Sequence, residues 1–253
     1  MIDDKVLRDA QLIMLDMLKE FDALCQAHNL QYWLDSGTLL GAVRHQGFIP
    51  WDDDIDISMP QEDYDAFAKL IRENPSLLSH DIFFQDTQSD KSFLFDYMKL
   101  RSNKAKIVEF HEHNQEVDYH QGVFVDIFPM LSIRENKLSA WYYPKALGLI
   151  RFFSAKKFNI KFLRNFLVWS LDILHQKDWS MDNKIIYSGK MPDVASIFDS
   201  KEVFPLEKIA FEGYEFFAPK NPTHYLENIY SFDFMEIPPK EKRVIHAHSM
   251  EVL

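Results

Sequence analysis

Trp51-Asp52-Asp53-Asp54-Ile55-Asp56-Ile57-Ser58 packs four carboxylates into five positions. From 53 to 58 polar and apolar residues alternate, the period of a strand whose successive side chains point to opposite faces. Asp54 and Asp56 then share one face, joined by Asp52 if the strand begins early, while Ile55 and Ile57 turn into the core. Like charges on one face repel unless something positive lies between them. A hard divalent cation, Mg2+ or Mn2+, is the natural partner: Mg2+ takes one or two carboxylates and fills its shell with phosphate oxygens. The plain alternative is a solvated acidic turn, which the apolar alternation at 55 and 57 argues against.

Working outward, apolar residues at Leu7, Met14, Leu18, Phe21 and Cys25 predict an amphipathic helix over 3–28. A short strand over 31–35, a turn at Ser36-Gly37-Thr38 and a short helix over 38–45 follow. Pro60 opens a helix to about Asn74, and strands are predicted at 82–86, 93–101 and 105–110. Gly122-Val-Phe-Val-Asp-Ile-Phe128 reads as a strand closed by Pro129. The pattern is helical from 134 to about 179, with no clear strand. A hairpin around Gly213 (207–218) and a helix at 222–230 come before Pro238-Pro239, which stops any regular element. The expected class is α/β (α+β), a mixed sheet with flanking helices: a catalytic core at 1–130, a basic, aromatic-rich helical insertion at 131–205, and a return to the core at 206–253.

Composition narrows the function. The 253 residues carry a formal charge of −11 and are 15% aromatic, with 22 Phe. A generic nucleic-acid binder is excluded, since phosphate affinity needs clustered Lys and Arg, and disorder does not fit so aromatic a chain. Cys25 is the only cysteine, so no intramolecular disulfide and no Cys-rich zinc site can form. It is expected in the core. A cytoplasmic setting is expected: Met1-Ile2-Asp3-Asp4 has no basic or apolar signal region, and no run of 18 apolar residues occurs. Charge is uneven. Between Trp141 and Asp178 seven cations face two acids, giving +5 and leaving −16 elsewhere, and the cations are interleaved with nine aromatics. That mixture suits either the headgroup region of an anionic membrane or an ordinary helical subdomain with a basic outer face.

Asp126 lies mid-strand between Val125 and Ile127, where an aspartate is costly unless paired or metal-bound. Three of the seven glycines, Gly37, Gly41 and Gly47, fall within eleven residues. Small residues at Ser36-Gly37-Thr38 let backbone N–H groups approach a phosphate at a helix N-terminus. A small turn, an Asp-x-Asp strand and a later strand Asp together resemble the nucleotidyltransferase superfamily.

The run from Leu34 to Ile57 resembles more closely the LicD family, phosphocholine transferases of bacterial surface glycans, related to the fukutin-related phosphoribitol transferases. Gly122–Pro129 is similar to its second acid motif; Phe211-Glu212-Gly213, Tyr225-Leu226 and Pro238–Arg243 are similar to its C-terminal elements. The likeness covers about 10–130 and resumes over 205–246. It implies that Asp54 and Asp56 bind Mg2+, or Mn2+, and that Asp126 completes the acidic site as third ligand or as general base, the role the family's third acid is often given. It implies transfer of phosphocholine, or a similar phospho-alcohol, from a CDP-linked donor such as CDP-choline to a glycan hydroxyl or its lipid-linked precursor, with release of CMP. The fukutin-related proteins carry a cysteine-based zinc element that this chain cannot, which favours the compact bacterial type. A nucleotidyltransferase that moves a nucleoside monophosphate is the alternative. A non-catalytic relative would be expected to have lost one of the acids.

Further candidates carry two readings each. Arg44 reaches a phosphate or caps its helix; Lys99 points into the site or into solvent; Arg243 contacts nucleotide or phosphate; Trp51 stacks or, more simply, packs. Choline recognition calls for an aromatic cage that no sequence pattern singles out. His111, His113 and His120 read as a polar loop ahead of a zinc site, and His246 and His248 as a flexible tail.

Overall fold

Apolar residues spaced three and four apart need a surface to cover, and in this chain that surface is a mixed sheet. The computed structural model describes residues 2–93, 95–154, 161–177, 179–188 and 196–253. Helix α1 (Asp4–Ala27) is capped by Asp3, whose carboxylate accepts from the backbone N–H of Lys5 and Val6. Its buried stripe of Met14, Leu18, Phe21 and Cys25 lies in the main core, with Phe21 edge-on to Tyr32 and tilted against Phe67.

The strands β1 (Trp33–Leu34), β2 (Ile55–Pro60), β3 (Ile82–Gln85), β4 (Met98–Glu109) and β5 (Gly122–Arg134) are joined by helices α2 (Ser36–His45) and α3 (Gln61–Glu73). β2 and β5 run parallel, with Asp56 opposite Asp126; β4 runs antiparallel to β5, with Lys99 opposite Asp126. These three residues therefore form one row across the sheet.

Pro129 does not close its strand as the sequence suggested. β5 continues to Arg134 because β4 leaves off opposite Ile127 and β6 (Asn183–Tyr187) begins opposite Met130. The Pro129 carbonyl faces that gap and accepts from Ser188 N, so the missing N–H falls where no ladder bond is due. The predicted strands 93–101 and 105–110 are one strand starting at Met98, sharply bulged between Arg101 and Lys106.

Helices α4 (Lys137–Ser154) and α5 (Lys161–Leu174) form a second small core over the end of β5: Tyr143, Leu147, Ile150 and Leu171 pack with Leu131, Ile133 and Ile186. Lys156, Lys157, Phe158 and Asp178 of the basic stretch lie outside the described residues. Strands β6 and β7 (Ile197–Asp199), unseen in the sequence pattern, return the chain to the sheet, followed by α6 (Ser200–Val203). The hairpin β8–β9 (Glu207–Phe211, Tyr214–Ala218) and helix α7 (Pro222–Tyr230) fall where predicted. The tail is not flexible: residues Ala247–Val252 form β10, antiparallel to the second half of β4.

Candidate active site

The site begins with a helix cap. Asp35 caps α2 through Ser36 N (2.6 Å), and its other oxygen accepts from the hydroxyls of Ser58 and Tyr187, the latter at 2.7 Å. Burial pushes this fully enclosed carboxyl above its ordinary range, and the surrounding donors oppose that rise. The same junction fixes Asp56 from both sides. Asp35 N donates to the Asp56 carbonyl (3.0 Å), and the Asp56 N–H donates to Thr38 Oγ1 (2.8 Å). A strand acid is thereby held rigidly beside a helix N-terminus.

Along the acidic run the alternation is strict. Ile55 and Ile57 are fully buried, whereas Asp52, Asp54 and Asp56 stand on the wall of a cleft of about 560 Å³. Gly37, Arg44, Trp51, Tyr230, His246 and residues of the 233–239 segment also line it. Protein surrounds the three acids on their other sides, so burial raises all three pKa values, and mutual repulsion raises them further. Asp126 stands one strand behind, nearly buried. Burial raises its pKa too, opposed by the Lys99 ammonium. Lys99 Nζ is 2.8 Å from Asp126 Oδ1 and 3.1 Å from Oδ2, and lies 3.4 Å from the Phe124 ring centre. The Oδ1 contact is close in distance but lacks hydrogen-bond alignment, so Oδ1 keeps an unfilled acceptor position, as does the buried Asp52 Oδ2. Acid crowding with two orphaned buried oxygens is a donor set that fits a hard cation. Asp52, Asp53 and Asp54 also each offer an oxygen within 4.8 Å of one another.

Comparison with known proteins supports the same reading of the core. The family model described as the LicD/FKTN/FKRP nucleotidyltransferase domain matches residues 29–145, which hold Asp52, Asp54, Asp56 and Asp126. Over residues 29–145 the chain is similar to the LicD family's nucleotidyltransferase domain. It is 29% identical to the lipopolysaccharide cholinephosphotransferase LicD of Haemophilus influenzae over 266 aligned residues, 95% of each chain. A 60-residue stretch is 47% identical to an uncharacterized protein of Rickettsia typhi, spanning 24% of this chain and 19% of that one. A 38-residue stretch is 50% identical to the human ribitol 5-phosphate transferase FKRP, 15% of this chain and 8% of that one. The mixed sheet with flanking helices is the nucleotidyltransferase-like α+β fold expected of a LicD domain.

The remaining candidates are distributed unevenly. Gly37 lines the cleft, and a Cβ there would come within 3.2 Å of Asp52 Oδ2. Gly41 serves packing instead: a Cβ would meet the Gly47 carbonyl at 2.5 Å, so the glycine cluster answers more than one demand. Thr38 is buried and spends its oxygen on β2; Ser36 takes a left-handed backbone (φ 43°) at the head of α2. Arg44 lines the cleft and donates to the carbonyls of Phe234 (2.7 Å) and Glu236 (3.1 Å), tying the 233–239 segment over the site. The Arg243 guanidinium sits 4.0 Å from the Trp51 ring centre and its Nε donates to the Pro238 carbonyl (3.3 Å); it is not on the cleft wall.

Sequence reasoning passed over Asp53. Turned away from its neighbours, it accepts from the backbone N–H of His246 (3.3 Å) and of Ala247, clasping the tail to the acidic run. The strict alternation was the signal: if 52, 54 and 56 face the cleft, 53 must face something else. His246 lines the cleft and His248 stacks on His113 with ring centres 3.6 Å apart. His120 bridges Gly122 N and Asn103, while His111 falls near Glu109 and Glu112 at the edge of β4.

Proposed function

We propose that this protein transfers phosphocholine, or a closely similar phospho-alcohol, from a CDP-linked donor to a sugar hydroxyl of a cell-surface glycan or of its lipid-linked precursor. The observation that carries this reading is the row of acids. Asp52, Asp54 and Asp56 wall a cleft of about 560 Å³, within the size range of small-molecule sites, and Asp56 is in register with Asp126. The names of the H. influenzae and FKRP relatives support phospho-alcohol transfer.

Asp54 and Asp56 would hold Mg2+ or Mn2+, with Asp126 one strand away in the same row. Bound there, the cation would neutralise charge on the donor pyrophosphate. The acceptor oxygen attacks the phosphorus bearing the alcohol, the bond from that phosphorus to the bridging oxygen breaks, and CMP leaves. We assign Asp126 the base that takes the acceptor proton. Both its oxygens already face the Lys99 ammonium, and burial raises its proton affinity above that of an ordinary aspartate. Gly37 leaves room for the Asp52 carboxylate on the cleft wall, and Arg44 keeps the covering segment in place. Ser36 and Thr38 shape that turn. Arg243 supports the site through Trp51. The reaction is placed in the cytoplasm.

The test is incubation with Mg2+ and a candidate glycan, offering CDP-choline, CDP-ribitol, CDP-glycerol or CTP in turn. CMP release from a CDP-alcohol is expected. Pyrophosphate from CTP, with no CMP from any CDP-alcohol, would favour nucleoside monophosphate transfer instead. Asp126→Asn separates the two roles of that residue: a base variant keeps metal affinity and loses turnover, whereas a ligand variant loses both.

A further inference from the structure

An α-helix in a water-soluble domain usually has one apolar face; α4 and α5 have two each. Their inner faces form the second core with β5 and β6. Their outer faces carry Leu138, Trp141, Leu149 and Phe152 on α4, and Phe162, Phe166, Trp169 and Ile173 on α5. The steps between these residues are three, four and eight positions, so each set runs as one stripe. All eight side chains are between 46% and 79% exposed. Phe166 and Trp169 touch each other, with ring centres 5.7 Å apart, yet are 51% and 56% exposed. Isolated exposed leucines need no explanation, but two adjacent stripes rich in aromatics do.

We infer that this outer face lies on a bilayer surface containing anionic lipid. Charge decides the occupant. Residues 137–174 hold seven cations against the single acid Asp172, in a chain of net charge −11. Lys145 sets its ammonium 3.8 Å from the Trp141 ring centre, an arrangement in which aromatic body and charged head share one boundary between apolar and polar phases. Arg164 is committed to Asp96, which leaves six cations against one acid in the sequence of this stretch. A second copy of the chain would bring basic face against basic face. Among the described residues no helix is long and apolar enough to cross a membrane, so the pair lies on the surface with its stripes in the headgroup layer. Trp, Phe and Leu are the residues that helices lying in such a layer carry on their apolar face. The inference stands on this surface alone and does not depend on the donor, metal or acceptor named above.

The test is flotation of the full chain with vesicles, without donor or acceptor. Vesicles of phosphatidylcholine with phosphatidylglycerol should carry the protein at low salt, and those of phosphatidylcholine alone should carry at least about ten-fold less. Lys145→Glu should weaken binding by about five-fold per unit of charge changed. The double substitution Trp141→Ser with Trp169→Ser should weaken it at least about ten-fold, with far-UV circular dichroism and melting temperature unchanged. Quenching of wild-type tryptophan fluorescence by brominated lipid needs no variant. It should be strong, because Trp141 and Trp169 are exposed whereas Trp33 is buried and Trp51 and Trp179 are half-buried. Absence of binding to anionic vesicles, equal binding by the double variant, or no quenching would overturn the inference. So would a solution dimer dissolved by the tryptophan substitutions, which would give the face to a second copy.

Discussion

The acidic cleft and the α4–α5 pair depart from the same rule in opposite directions. Asp52, Asp54 and Asp56 at the cleft, and Asp126 behind it, are crowded where protein raises their pKa values, so each resists ionisation. On the helices, aromatic side chains that could fill a core stand in solvent. Both arrangements lower the stability of the isolated chain, and both concern residues whose neighbours on the opposite face are ordinary: Ile55 and Ile57 behind the acids, Tyr143 and Ile150 behind the aromatics. The contrast teaches how to sort the two faces of one element. The face that obeys burial and pairing rules builds the fold; the face that breaks them is shaped for something outside the chain.

This contrast is broken or sharpened most directly at Asp54. Asp54→Asn keeps the size of the side chain and removes one charge from the crowd. Donor turnover should fall by at least about 10²–10³-fold, as for removal of a group that stabilises charge in the transition state. The melting temperature of the metal-stripped protein should rise, because burial and repulsion no longer oppose the group. Near-wild-type turnover would remove Asp54 from the metal set. The converse pair probes the other side of the rule by denaturant unfolding. Ile57→Ala, at a fully buried position, should cost about 2–5 kcal/mol. Trp169→Ser, at a side chain 56% exposed, should change stability by no more than about 0.5 kcal/mol. A large loss at Trp169 would mean that its stripe serves the fold after all.

Most of the core was legible because periodicity reports burial. The 3.6-residue stripe of α1, the alternation of β2 and the Gly213 hairpin all read correctly, because the apolar positions of each face a core while polar residues occupy the alternate ones. Elements whose pattern is not two-faced were misread. β5 is buried at all but its last residue, so its continuation past Pro129 had no alternation to show, and the proline looked like an end. β10 reads as polar tail because Ala247 is its only buried residue; it is held by pairing with β4 and by the Asp53 clasp. Asp54 and Asp56 could be put on one face from spacing alone, whereas Asp126 joins them only because its strand is the parallel neighbour of β2. That Lys99 is buried against Asp126 could not be read from spacing either, because register between distant strands leaves no trace in either strand's own sequence.

Asp53 allows a finer cut, one residue from the metal candidates. Asp53→Ala should leave the His246 and Ala247 N–H groups without their acceptor and cost about 1–3 kcal/mol. Its signature is local: β10 should become sensitive to limited proteolysis well before the core unfolds. Equal protection of the tail in variant and wild type would make pairing with β4 sufficient by itself.

The smallest expected effect contrasts the cleft acids with an acid that has its partner. Glu212 meets Arg8 through two bonds (3.0 and 2.6 Å) and accepts from Phe48 N (3.1 Å), and the Arg8 bond holds its carboxyl below the usual range. A group whose folded pKa is depressed adds stability above its unfolded pKa, about 4.3, and loses it as pH falls through the folded value. Glu212→Gln should therefore cost about 0.5–1 kcal/mol at pH 7, kept small because Arg8 is 45% exposed and solvent screens the pair. The difference between variant and wild type should shrink steadily below about pH 4.5. It should also shrink in high salt, whereas the cost of Ile57→Ala, which involves no charge, should be the same at either salt concentration. A Glu212→Gln cost that held constant from pH 7 to pH 3 would assign this side chain a packing role and leave ionisation without a part in it.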